Sequence, residues 1–238
     1  MSEGLFNYSL QERGAVKYIS FIFILSISLG QWTTFQLDEL SNSSKKSKTI
    51  FRTAGFAATH NFPVAITEKN RIAIGLSTLK GISANGFLPM INGNINVSWN
   101  LSLRGRMAAY SAEEGTIQAY GWGLSLNPSK DKEISKWIIN LDSGKLNSND
   151  ALIVSSIQAS ATRQFNLNMF PVYVGFGLNI LNANPKSLLD KKYQGKKEIQ
   201  TNFINIGTKI SIYGLSVIPQ LWVGSQYSMV SVNIVNTF

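Results

Sequence analysis

The chain has 238 residues, 44% of them hydrophobic and 15% charged, which fits one folded domain and excludes an intrinsically disordered one. It contains no cysteine and a single histidine, which removes disulfides, thiolate catalysis and Cys-based zinc or iron–sulfur sites. Its formal net charge of +9 is spread along the chain, apart from Lys45, Lys46 and Lys48 and five lysines between Lys186 and Lys197, so no nucleic-acid partner is expected.

In chain order, the first feature is an apolar run from Tyr18 to Leu29, preceded by Arg13 and Lys17. As a helix its twelve residues rise about 18 Å, short of the roughly 30 Å of a bilayer core. Ser28-Leu29-Gly30 places small residues two apart at its end, so residues 1–30 read as a signal peptide cleaved near Gly30. Removing them deletes Glu3, Glu12, Arg13 and Lys17 and leaves the mature charge at +9. Residues 31–70 form an N-terminal lead. Gln31–Lys48 is polar and Ser/Lys-rich, and Thr49–Ile66 is rich in small residues without strict alternation. The latter is open to three readings: a plug in a lumen, a cap on its mouth, or extra strands, with Pro63 arguing against a central strand.

From residue 71 to 238 the chain alternates with period two, as half-buried strands do. Ile72, Ile74 and Leu76 oppose Ala73, Gly75 and Ser77; Ile91 and Ile95 oppose Asn92, Asn94 and Asn96; Leu103 and Met107 oppose Arg104 and Arg106. Tyr120, Trp122 and Leu124 oppose Gly121 and Gly123; Ile139 and Leu141 oppose Asn140 and Asp142; Ile157 and Ala159 oppose Ser156 and Gln158. Val172, Val174 and Phe176 share one face, Ile204, Ile206 and Ile210 oppose Asn205 and Lys209, and Leu221 and Val223 oppose Gln220. In the last strand Val230, Val232, Ile234 and Phe238 oppose Ser231, Asn233 and Thr237, making ten strands in all.

A chain that ends in such a strand with an aromatic as its last residue resembles bacterial outer-membrane β-barrels. The resemblance implies an all-β fold: an antiparallel up-and-down transmembrane barrel of about ten strands. It also implies Phe238 as an assembly signal, the barrel-assembly machinery as a partner, and surroundings of outer-membrane lipid and lipopolysaccharide. Mean hydropathy of +0.03 is too low for a helical membrane bundle and suits a barrel in which each apolar outward residue is balanced by a polar inward one. The even count puts both ends on the periplasmic side. Periplasmic turns, most of them tight, then fall at Asn100, Asn127–Ser135, Asn166–Asn168 and Tyr213–Leu215, and outer loops at 79–85, 111–115, 143–150, 182–200 and 224–227. Trp99, Tyr120, Trp122, Trp137, Phe170 and Tyr227 read as interfacial girdles near strand ends. A secreted soluble β-barrel binding an apolar ligand would alternate too, but its water-facing side would carry many Lys and Glu instead of Asn, Ser, Thr, Gly and Gln.

The function read from these residues is a small non-enzymatic barrel, acting as a narrow channel or as a membrane-embedded binding or structural protein. An outer-membrane barrel enzyme would rely on histidine as general base, and His60 lies outside every assigned strand. One histidine and no cysteine leave only oxygen ligands, so neither a metal nor a cofactor is expected. Arg104, Arg106 and Lys209 project to the polar face in mid-barrel or near it, with Asn92, Asn94, Asn96 and Asn205 lining the same lumen. The three cations form either a basic constriction favouring anions or one half of ion pairs bracing a closed barrel; Asp142 is placed at a rim. Lys186, Lys191, Lys192, Lys196 and Lys197 are either solvated or a contact for lipopolysaccharide phosphates or another anionic ligand.

Overall fold

A computed structural model describes residues 44–63, 71–82, 86–112, 115–128, 136–148, 152–167, 170–186, 196–225 and 227–238. The signal-peptide reading of residues 1–30, its Gly30 processing site, and Lys191 and Lys192 lie outside the described residues. Among the described residues one helix, α1 (Ser44–Ala58), precedes strands β1 (Ile72–Gly81), β2 (Leu88–Asn96), β3 (Leu101–Ala112), β4 (Gly115–Leu126), β5 (Trp137–Ser148) and β6 (Leu152–Leu167). Strands β7 (Phe170–Pro185), β8 (Lys197–Thr208), β9 (Ile210–Ile212), β10 (Leu215–Gly224) and β11 (Tyr227–Thr237) complete the sheet.

Strands β1 to β8 pair antiparallel with their chain neighbours, β10 pairs with β8, β9 and β11, and β1 pairs with β11, so the sheet closes on itself. At the seam the backbones of Ile72 and Phe238 exchange two hydrogen bonds, of 3.2 and 2.8 Å. Strands β8 and β9 are halves of one barrel strand, since β10 meets both in a single register (Gln220↔Gly207 and Leu215↔Ile212). Pro219 falls at the lapse; it has no N–H to donate, and the Lys209 amide turns to Pro171 O on the other side. The fold is therefore a closed, antiparallel ten-stranded barrel.

Outward-facing side chains are the apolar set of the alternation: Ile74, Ile91, Leu103, Leu141, Phe176 and Ile206 are all exposed. On β7 that face stays apolar from Phe170 to Ile180, ten residue steps. Ten steps run about 34 Å along a strand and, at a tilt of about 40–45°, span about 25 Å, the height of a lipid-facing band. Trp99, Trp137, Phe170 and Phe238 ring the end that carries the C-terminus, the terminus-side end, while Tyr120 and Trp122 face outward in mid-strand.

The strands run further than the sequence reading put them. β5 continues to Ser148 through the expected outer loop at 143–150, and β7 reaches Pro185 before the next loop. The lead is also not uniformly irregular, because Gln31–Lys48 overlaps a helix that begins at Ser44. Ser47, Ile50, Phe51, Ala54, Ala57 and Ala58 recur at helical spacing and are all buried. They pack inside the barrel against inward residues of its loop-side half, among them Leu79, Leu88, Leu146, Leu181 and Trp222. Tyr227 belongs to this interior. It stacks on Phe56 at 5.3 Å between ring centroids and its hydroxyl donates to Thr53 Oγ1 at 3.1 Å, which corrects its placement in an outer girdle.

Candidate functional site

Below α1 the chain runs down through the lumen as residues 59–63, and the polar inward residues gather around it. Arg104 and Arg106 are alternate inward residues of β3, and Asp142 is inward on β5. The intervening strand supplies Gly123, cross-strand partner of both Arg104 and Asp142. Without a side chain there, Arg104 reaches across β4 to the carboxylate, and a Cβ on Gly123 would collide with it. Arg104 Nη2 lies 2.9 Å from both Asp142 oxygens, and Arg106 Nη2 lies 2.6 Å from Oδ1. The arginines also donate to Leu124 O at 3.2 Å and Trp122 O at 3.0 Å. Asp142 is wholly buried at the centre of the lumen, not at its rim, because β5 extends six residues beyond it.

The same cluster holds the descending segment. Asn61 Nδ2 donates to Asp142 Oδ2 at 2.8 Å, and Arg106 Nη1 donates to the His60 carbonyl. Gly121 and Gly144 make room for this approach, since a Cβ on either would run into Ala58 O. The C-terminal end of α1 thus faces a wall carrying two guanidinium groups, where a helix favours positive charge. Just before His60 and Asn61 in the chain, Thr59 Oγ1 accepts from Asn179 Nδ2 at 2.8 Å and donates to Gly55 O at 2.9 Å. Lower down, Phe62 closes the terminus-side mouth against Ala73, Ile218 and Val235.

His60 is fully buried against the opposite wall, its Nε2 3.0 Å from Asn233 Oδ1 and its ring 5.7 Å from Trp222. Asn233 Nδ2 donates to Ile218 O at 3.2 Å, so Oδ1 faces the histidine and Nε2 carries the proton. Burial pushes the imidazole pKa down to about 3; the Asn233 bond opposes this, and Arg106 and Arg104 add to it. Around His60 the wall of β8, β10 and β11 has little internal bonding. Asn205 Oδ1, both polar atoms of the Gln220 amide, Trp222 Nε1, Ser231 Oγ and His60 Nδ1 are buried without a protein partner. Among the described residues no three His, Cys, Asp or Glu side chains gather as a metal site would require.

Of the residues singled out from the sequence, Arg104, Arg106, Asn92, Asn94 and Asn205 are buried in the lumen, and Asn92 Nδ2 donates to Ser77 Oγ at 2.7 Å. Asn96 is half-buried toward the turn end of β2, where its Oδ1 accepts from Ser102 Oγ at 2.6 Å. Lys209 does not join the arginines in mid-barrel; it sits partly exposed at the break between β8 and β9, close to the terminus-side turns. Lys186 reaches Asn147 Oδ1 at 3.4 Å, Lys196 is exposed, and Lys197 lies over the Phe51 ring at 5.9 Å. His60 and Asn61, which complete the cluster, gave no signal of alternation or motif.

The chain resembles bacterial outer-membrane β-barrels. The N-terminal β-barrel domain of Pseudomonas aeruginosa OprF is 13% identical, covering 71% of this chain and 98% of that one, with a TM-score of 0.37. The KdgM porin in complex with disordered oligogalacturonate is 8% identical over 70% of this chain and 99% of that one, with a TM-score of 0.39. The translocator domain of the autotransporter NalP from Neisseria meningitidis is 10% identical over 81% of this chain and 94% of that one, at 0.36. Likenesses at this level carry no residue, ligand or activity across. No family model and no curated protein matches the chain.

Proposed function

We propose that this protein is an integral outer-membrane barrel stoppered by its own residues 44–63. It works as a closed membrane-embedded scaffold or binding protein, and conducts only when the stopper leaves. The observation that carries the reading is the Asp142 cluster, in which one carboxylate ties Arg104 and Arg106 to Asn61 of the descending segment. Arginines held this way brace a closed lumen. The band of exposed Ile, Leu, Val and Phe, about 25 Å tall, supports membrane insertion over a secreted soluble barrel. Export through a signal peptide cleaved near Gly30 belongs to the same reading, and N-terminal sequencing of the mature protein should begin at or near Gln31. A non-enzymatic role is favoured by His60, whose protonated nitrogen faces an amide and whose basicity is lowered by burial.

A second reading, a narrow channel past the stopper, is favoured by the unpartnered polar atoms of Asn205, Gln220, Trp222 and Ser231. Buried polar groups need partners, and along this wall only water or a solute can supply them. The expected anion preference is weak, since Asp142 offsets one of the two arginines. Planar-bilayer recordings decide between the readings. The wild type should be silent and a variant lacking residues 44–63 should conduct; equal conductance in both would establish the open channel. Heat-modifiable gel migration with membrane fractionation tests insertion, and a soluble, non-modifiable protein would remove the outer-membrane reading.

A further inference from the structure

The outward face of the barrel is not smooth. A groove of about 310 Å³ opens on it across β4 to β7. Its floor is built from the small residues Ser143, Gly144, Ser155 and Ser156. Tyr120 and Trp122 form one wall, and Ile157, Ile180 and Asn182 form the other. The cross-strand register explains the shape, because a row Tyr120–Lys145–Ser155–Asn182 lies directly above a row Trp122–Ser143–Ile157–Ile180. Two serines at the centre of these rows leave a trough between larger neighbours.

The groove also straddles a change of polarity. Beyond it toward the terminus-side end, the outward residues are Leu141, Ala159 and Leu178; beyond it toward the loops they are Gln118, Asn147 and Asn184, with Ile153 the one apolar residue among them. This is the level at which the apolar band ends, so the lower half of the groove meets acyl chains and the upper half meets headgroups. Lys145 stands at that level. It points outward yet is only partly exposed, and it has no hydrogen-bond or ion-pair partner among the described residues. The acid on its row is Glu198, beside Asn182 on β8 and three strands away. At about 4.8 Å per strand that is about 14 Å, beyond the Debye length at physiological salt.

We infer that this groove is a site for one phosphate-bearing membrane lipid. An acyl chain lies in the trough between Trp122 and the pair Ile157 and Ile180, and the headgroup phosphate is held by the Lys145 ammonium and the Asn182 amide. A lysine with a tyrosine and a tryptophan at the apolar boundary is a combination that anchors to lipid headgroups. The small-residue floor makes the contact a specific seat, unlike the general band around it. The inference rests on the membrane-inserted reading above.

The test is native mass spectrometry of the full chain released from detergent after addition of phosphatidylglycerol, phosphatidylcholine or inorganic phosphate. The wild type should retain one phosphatidylglycerol and hold it more tightly than phosphatidylcholine, and millimolar inorganic phosphate should not displace it. Lys145→Gln should weaken retention about fivefold, the contribution of one lysine near a lipid surface, and Lys145→Arg should restore it. Ser155→Phe, which fills the trough from the lipid side, should abolish it. Retention in Lys145→Gln and Ser155→Phe equal to wild type would overturn the site. Displacement by inorganic phosphate would reassign it to a free anion, and a dimer in place of the lipid adduct would reassign it to self-association. Heat-modifiable migration of each variant, run in parallel, separates loss of this site from failure of the barrel to fold or insert.

Discussion

Replacing Asp142 with asparagine keeps the shape of the side chain and removes the charge that the lumen depends on. The carboxylate is wholly buried and accepts from Arg104 at 2.9 Å, from Arg106 at 2.6 Å and from Asn61 at 2.8 Å. With it the cluster carries one net positive charge; without it, two guanidinium groups remain buried with only carbonyls as acceptors. Carbonyls satisfy N–H groups but leave the charges uncompensated. Removing one partner of a buried ion pair costs about 3–5 kcal/mol, and Asp142→Asn should fall in that range. Exchanging the whole cluster, as Arg104→Met/Arg106→Met/Asp142→Leu, should recover most of the loss, because desolvating three charges consumes much of what their pairing contributes. Urea unfolding in liposomes, followed by tryptophan fluorescence, measures both. A cost below about 1 kcal/mol for Asp142→Asn, the range of solvent-exposed pairs, would refute the argument that this cluster braces the lumen.

Five other substitutions probe the same architecture. Gly144→Ala should cost about 1–3 kcal/mol by driving a Cβ into Ala58 O, whereas Gly93→Ala, with nothing near its Cβ, should be close to neutral. Ile206→Arg should cost about 2–4 kcal/mol on the lipid face. Asn205→Arg would be mild in a wet lumen but should also be costly, because Asn205 is only 1% exposed and its Oδ1 crowds the space above Gly175. His60 titrates near 6.5 when unfolded and at about 3 when folded, so the unfolded chain binds the extra proton between those values. Its contribution is complete above pH 6.5 and is lost as pH falls toward 3, at about 1.4 kcal/mol per unit. The urea midpoint should therefore drop more steeply between pH 7 and pH 4.5 in wild type than in His60→Gln.

The outer surface was legible in the sequence because a lipid-facing strand has one rule, an apolar residue at every second position. Ile72, Ile91, Leu103, Ile157, Phe176 and Ile204 all face where their alternation puts them. The interior was only half legible. In its loop-side half the inward residues are apolar as well: Leu152 and Val154 share the phase of Ser156 and Gln158, and Phe203 and Trp222 share the phases of Asn205 and Gln220. Two apolar faces at the ends of several strands signal that something greasy fills that half of the barrel. The filler was hidden by its own composition. Ser47, Ile50, Phe51, Ala54, Ala57 and Ala58 keep helical spacing, but the lysines and serines between them read as a flexible lead. Asp142 was misplaced because its strand was ended too early, and Tyr227 because an aromatic near a strand end looks alike from either side of the wall.

The central claim is that α1 lies inside the lumen of a membrane-inserted barrel, and the absence of native cysteine allows a direct measurement. Single-cysteine variants Ala57→Cys and Lys48→Cys, reconstituted in liposomes, would be exposed to a membrane-impermeant maleimide. Ala57 is wholly buried among inward residues of the barrel, whereas Lys48 on the same helix is exposed. The stoppered barrel predicts rapid labelling at position 48 and protection at position 57 until urea unfolds the protein. Labelling at both positions at the same rate in the folded, inserted barrel would show that the helix lies outside the lumen and contradict the account.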